Sequence, residues 1–128
     1  MREPGGRAQS AHNVRFQRIV EDMVFVELTP FAGREAHWTD EDLRRLQSHL
    51  LARPDAGDLV PGGSGIRKLR WQASGRGKRG GARVIYFWQV ADSQIFLIYG
   101  YVKSRSENLT PTQVTYLSRL SKELKRHG

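Results

Sequence analysis

The sequence predicts an α+β domain: a small antiparallel sheet of about four strands with two or three helices packed on one face. Three observations lead there. Short, strongly apolar runs at Met23–Leu28, Ala82–Val90 and Gln94–Val102 have strand length and strand composition. Two segments carry leucines at helical spacing behind good capping residues. The order is strand, helix, three strands, helix, and no internal repeat interrupts it. With 128 residues there is room for one ordinary domain, and 38% hydrophobic content supports one modest core.

Residues 1–22 read as a polar, Gly- and Arg-containing tail, with at most a helical turn or two over Val14–Val20. The domain proper is read as 23–128. Met23-Val24-Phe25-Val26-Glu27-Leu28 is a buried strand, and Phe31–Trp38 is a short helix or turn. Thr39 is an N-cap, and Asp40, Glu41 and Asp42 follow at the positive end of a helix dipole. Leu43, Leu46 and Leu50 form the apolar stripe, and Arg53-Pro54 ends the helix. Residues 54–65 are a Pro/Gly loop.

Ile66–Trp71 is a strand of alternating faces, with Ile66, Lys68 and Arg70 on one and Arg67, Leu69 and Trp71 on the other. A Gly- and cation-rich loop spans Gln72–Gly81. Ala91-Asp92-Ser93 turns the chain between the last two strands, completing an antiparallel meander. Thr110 caps the last helix, Pro111 takes its first position and Gln113 completes a capping box. Leu109 and Val114 are placed for a hydrophobic staple. Leu117, Leu120 and Leu124 form one stripe, and Lys122, Lys125 and Arg126 lie near the negative end of the dipole.

Composition removes several chemistries. There is no cysteine, which excludes disulfides, cysteine-zinc sites, iron–sulfur clusters and thiol nucleophiles. No apolar run approaches the roughly 20 residues of a membrane span, and the polar N-terminus has no apolar signal region. A cytoplasmic protein is expected. His12, His37, His49 and His127 do not pair at ligand spacing, so no metal or other cofactor is expected. The Asp40–Asp42 run is explained by capping, and no local Ser–His–Asp pattern appears. Gly75-Arg76-Gly77-Lys78-Arg79-Gly80-Gly81 lacks the Gly-Lys-Ser/Thr ending of a Walker loop.

Charge is the positive clue. The chain carries +8, with a pI near 10.4. No acid occurs between Asp58 and Asp92, while Arg67, Lys68, Arg70, Arg76, Lys78, Arg79 and Arg83 all do. Trp71, Tyr86, Phe87 and Trp88 are interleaved with them. Cations serve phosphates and flat rings serve bases, so the expected partner is nucleic acid. Phe87 and Trp88 are read as core; Tyr86 and Tyr101 either stack on bases or pack inside. RNA supplies its own nucleophile, the 2′-OH. Fixed Arg and Lys groups stabilise the phosphorane formed when it attacks the neighbouring phosphate.

The runs Gly57–Gly62 and Gly65-Ile66-Arg67-Lys68-Leu69-Arg70-Trp71, then Gly75–Phe87 and Tyr101–Thr110, resemble the HigB branch of the RelE/ParE toxin superfamily. The likeness covers about Met23 to Lys125. It implies a RelE-like fold and a type II toxin that enters the ribosomal A site and cleaves mRNA, leaving a 2′,3′-cyclic phosphate. It also implies a cognate antitoxin, usually with a helix-turn-helix domain as in HigA. The family's RNA-cutting positions fall on Lys68, Arg70, Arg83 and Lys103, with Arg105 as the less secure match for the last. Arg67, Arg76, Lys78, Arg79, Tyr86, Tyr101 and Arg105 are the expected RNA or ribosome contacts, the loop cations docking on ribosomal RNA. The tyrosine that RelE itself places before its final helix falls near Leu109. The proton-transfer group is therefore left between Lys78, Lys103 and Tyr101. Other readings are a ParE-like gyrase poison and a non-catalytic nucleic-acid-binding relic.

Overall fold

The structure is a computed structural model that describes residues 14–28, 39–71, 81–102 and 108–127. Expectations for the rest of the tail, for Phe31–Trp38, for the cationic loop over 72–80 and for 103–107 lie outside the described residues. The elements are strand β1 (Val14–Val20), β2 (Met23–Leu28), helix α1 (Asp40–Ala52), β3 (Asp58–Leu59), β4 (Ile66–Trp71), β5 (Ala82–Gln89), β6 (Gln94–Val102) and helix α2 (Pro111–His127). No described helix is long and apolar enough to cross a membrane.

The sheet has six strands in the order β1-β2-β6-β5-β4-β3, rather than about four. It is mixed: β2 and β6 run parallel, and every other pair is antiparallel. The added strand at the N-terminal end is β1, which replaces the helical turn expected over Val14–Val20. It pairs with β2 through a two-residue turn at Glu21 and Asp22, both with positive φ, 44° and 74°. Paired positive φ values match the twist of a tight hairpin. Such turns are normally announced by Asn-Gly or Asp-Gly, and Glu21-Asp22 lacks the glycine, which hid the hairpin.

The helices do not share one face. Successive residues of β5 point to opposite sides. Val84 and Tyr86 join Leu46 and Leu50 of α1 in one core, with Phe25, Leu69, Ile95 and Leu97. Ile85 and Phe87 join Leu117 and Leu124 of α2 in a second core, with Val26, Ile66, Phe96 and Ile98. Each helix thus covers its own side of the sheet. All six residues from Ala82 to Phe87 are buried for that reason. Apart from Arg83 the run is apolar without alternation, which signals a strand covered on both faces, whereas a one-sided sheet would have alternated.

Both helix starts follow the sequence. Thr39 Oγ1 accepts from Asp42 N–H at 3.0 Å, and Thr39 N–H donates to the Asp42 carboxylate at 3.0 Å. Thr110 N–H donates to Gln113 Oε1 at 2.8 Å, and Gln113 N–H to Thr110 Oγ1 at 3.1 Å. Helix α2 is fastened to the loop before β4 by Ser121 Oγ, which donates to the Ser64 carbonyl at 2.9 Å, and by the Ser64–Ser118 hydroxyl pair at 2.7 Å. Gln89 Nε2 donates to the Leu124 carbonyl at 3.4 Å.

A cationic row beside the N-terminal end of helix α2

Cross-strand register assembles the candidate site. Arg70 of β4 pairs with Arg83 of β5, and Arg83 pairs with Tyr101 of β6. One row along, Lys68 pairs with Ile85, and Ile85 with Tyr99. Directly paired residues project to the same face with Cβ atoms about 5 Å apart. These rows belong to the α2 face, because Ile85 and Tyr101 pack in the core built on Leu117 and Leu124. Lys68, Arg70 and Arg83 are therefore brought together.

Their environments differ. Arg70 is exposed, Lys68 half-buried, and Arg83 only 8% exposed. Arg83 Nη1 donates to the Ala82 carbonyl at 3.3 Å. A guanidinium partly withdrawn from water acts on a neighbouring charge through a lower effective dielectric. Tyr101 is 2% exposed, and its ring lies 5.8 Å from that of Tyr99. Base stacking by Tyr101 does not fit this burial: its ring belongs to the core under the row.

Two expected contacts lie on the other face. Tyr86 is fully buried among Leu46, Leu50 and Val84. Its hydroxyl donates to the Pro54 carbonyl at 2.6 Å and accepts from Gly57 N–H at 2.9 Å. Burial raises its pKa above the ordinary value, more than the Gly57 bond lowers it. Tyr86 is a core residue and offers no surface to a base. Arg67 pairs with Tyr86, and its Nη1 donates to the Gly57 carbonyl at 2.7 Å. It holds the turn after α1, on the side away from Lys68 and Arg70, in place of the expected RNA contact. Trp71 shares that side, beside His49 at 5.4 Å and under Arg45 at 5.7 Å. Phe87 and Trp88 pack on the sheet as the sequence implied. Lys103, Arg76, Lys78, Arg79 and Arg105 lie outside the described residues.

Beside the Lys68 row is a cavity of about 240 Å³ lined by Ile85, Ile98, Tyr99, Leu109, Gln113, Tyr116 and Leu117. These contacts put the first turns of α2 over Ile85, while its last turns reach Gln89. The end of α2 nearer Arg83 is thus its N-terminus, whose dipole adds positive potential. Sequence reasoning missed Tyr99, Gln113 and Tyr116. Gln113 was accounted for by capping alone, and nothing in a linear pattern joins Tyr99 to Tyr116. Leu109, at the position where the resemblance puts a tyrosine, lines this cavity instead.

The arrangement as a whole can bind a polyanion through cations and flat rings on one face. A family model described as the RelE toxin of the RelE/RelB toxin–antitoxin system matches residues 32–127, three quarters of the chain. The match starts after β1 and β2 and takes in every residue of the cationic row. A RelE toxin has an antitoxin as its partner. With this sheet, this face of cations and a match of that extent, the chain belongs to the RelE toxin family of toxin–antitoxin systems.

Proposed function

We propose that this toxin is a ribosome-dependent endoribonuclease of the HigB-like branch that cuts mRNA and so arrests translation in the cytoplasm. The observation that carries the reading is the register pair Arg70–Arg83 with Lys68 one row away on the same face. Directly opposed like charges repel. A bound phosphate relieves that repulsion and is gripped from both strands.

In the reaction, the 2′-oxygen of the nucleotide 5′ to the cut attacks the adjacent phosphorus. Its proton passes to a base, and the phosphorane places added negative charge on the non-bridging oxygens. Arg70, Arg83 and Lys68 sit where that charge grows. The bond to the 5′-oxygen then breaks, that oxygen takes a proton, and a 2′,3′-cyclic phosphate remains. Removing one such electrostatic contact typically costs on the order of 10²–10³ in rate. Lys103 completes the cation set, and it or Lys78 serves as the proton-transfer group. Tyr101 backs Arg83 from the core. The loop cations Arg76, Lys78 and Arg79, with Arg105, contact ribosomal RNA, and a helix-turn-helix antitoxin of HigA type neutralises the protein.

The test is induction of Arg83→Ala and Lys68→Ala variants with mapping of mRNA ends. The reading expects codon-phased cuts from the parent protein and relief of growth arrest by both variants, each still folded. Full toxicity from both folded variants would sink the site assignment. Intact message with DNA damage would instead indicate a gyrase poison, and binding to programmed ribosomes without cleavage a relic.

A further inference from the structure

Helix α2 carries a second stripe beside its leucines. Val114, Ser118 and Ser121 stand four and three residues apart, so they share one side of the helix, and that side faces the loop before β4. A Cβ built on Gly62 would lie 3.7 Å from Val114 Cγ1. One turn on, the Ser118 and Ser64 hydroxyls meet at 2.7 Å, and the fully buried Ser121 donates from Oγ to the Ser64 carbonyl at 2.9 Å. Ser64 makes both contacts from a left-handed backbone, with φ 58°, while Gly62 and Gly65 on either side have φ 77° and 99°. Glycine adopts such angles freely and serine does not. A loop with glycine at two left-handed positions and serine at the third has a use for that serine's hydroxyl.

We infer that Ser64, Ser118 and Ser121 are positioning residues for the cleavage: they lock α2 at one register along its axis and so hold its N-terminal end beside Lys68, Arg70 and Arg83. The inference rests on the cleavage reading above. The packing of Leu117 and Leu124 on the sheet is non-directional and tolerates a small slide of the helix. Hydroxyl hydrogen bonds are directional and do not. The bond from Gln89 at the far end of α2 is longer, 3.4 Å. The locked loop runs straight into β4: Ile66 N–H donates to the Gly63 carbonyl at 3.3 Å, and Val60 N–H to the Ile66 carbonyl at 2.9 Å. Lys68 follows two residues later on the same face as Ile66. One cluster of hydroxyls therefore ties the helix whose dipole favours a phosphate to the strand that supplies Lys68 and Arg70. A misplacement of about 1 Å can cost about 10²-fold in rate.

Ser64→Gly separates positioning from stability. Glycine takes the left-handed angle without strain, so the loop is kept while the hydroxyl is lost. Single-turnover cleavage on programmed ribosomes is measured over a range of ribosome concentrations, beside thermal melting, for the parent protein, Ser64→Gly, Ser118→Ala and Ser118→Thr. Ser64→Gly is expected to melt no lower than the parent and yet to cut on the order of tenfold more slowly at saturating ribosomes, with unchanged half-saturation. Ser118→Ala should be slowed likewise, and Ser118→Thr, which retains a hydroxyl, should cut near the parent rate. Parent rates in Ser64→Gly and Ser118→Ala overturn the proposal, as does a loss of rate that only follows a loss of melting temperature. A weakened half-saturation with an unchanged maximal rate assigns the cluster to ribosome docking and overturns it too. If the parent protein cuts nothing, the cleavage reading falls by itself, and the latch is judged by NMR titration with inorganic phosphate. Saturable shifts of the Arg70 and Arg83 amides in the parent, about threefold weaker in Ser64→Gly, support it; equal titrations, or no shift in the parent, overturn it.

Discussion

Arg70 and Arg83 stand directly opposite each other in the β4–β5 ladder, two guanidinium-bearing residues on one face. A sheet designed for stability alone would place an opposite charge or an apolar pair there. Replacing Arg70 with Thr removes the repulsion and adds a good strand former. The variant is expected to gain about 0.2–1 kcal/mol in denaturant unfolding while losing RNA cleavage. A gain in stability with undiminished cleavage would detach the pair from function.

Arg67 and Arg70 are neighbours in the same strand with opposite assignments. Arg67 ties down the Gly57 carbonyl at 2.7 Å from the far face. Arg67→Ala should lower stability by about 1 kcal/mol and leave the rate of cutting per folded molecule near the parent value. Arg70→Ala should do the reverse. Single-turnover cleavage measured beside chemical unfolding separates the two.

Tyr86 couples the core to pH. Tyr86→Phe keeps the ring but strands the Gly57 N–H and the Pro54 carbonyl, at an expected cost of about 1–3 kcal/mol. Burial lifts the hydroxyl pKa above its ordinary value near 10. The raised value means that the neutral phenol is favoured by folding. Its contribution is fully present below pH 10 and is lost as pH rises through the folded value. Unfolding free energy measured from pH 8 upward should fall above pH 10 in the parent protein and fall less steeply in Tyr86→Phe.

Gly57 has no room for a side chain. A Cβ there would lie 2.9 Å from Tyr86 Cε1 and 3.0 Å from the Lys68 carbonyl oxygen. Gly57→Ala should therefore displace the ring or β4, with an expected loss of about 1–3 kcal/mol. Because the Lys68 backbone is one of the two neighbours, cleavage per folded molecule should fall as well. Thermal melting and the same cleavage assay check both parts.

Thr110→Ala removes the acceptor for Gln113 N–H and should destabilise α2 by about 1 kcal/mol, seen as faster amide exchange over the first turn.

Several features were legible because they are local. The boxes at Thr39 and Thr110 depend on residues three apart, and both formed as read. Alternation along Ile66–Trp71 already separated Lys68 and Arg70 from Arg67. The hairpin of β1 with β2 was not legible, because Glu21-Asp22 has no glycine and opens on Glu, a residue that rarely adopts positive φ. Nor was the role of Tyr86: a period of two assigns it to a face without saying what covers that face.

The order of β2, α1, β4, β5, β6 and α2, the capping of both helices and the excess of cations between Asp58 and Asp92 were determined by the sequence alone, since each depends on neighbours within a few residues, whereas β1 and β3 were not. That Arg83 lies against Arg70, that α1 and α2 cover opposite faces, and that Tyr99, Gln113 and Tyr116 enclose one cavity were decided only by the tertiary structure. Strand register and the choice of covering helix are set by burial summed over both cores, and no short stretch of chain contains that sum.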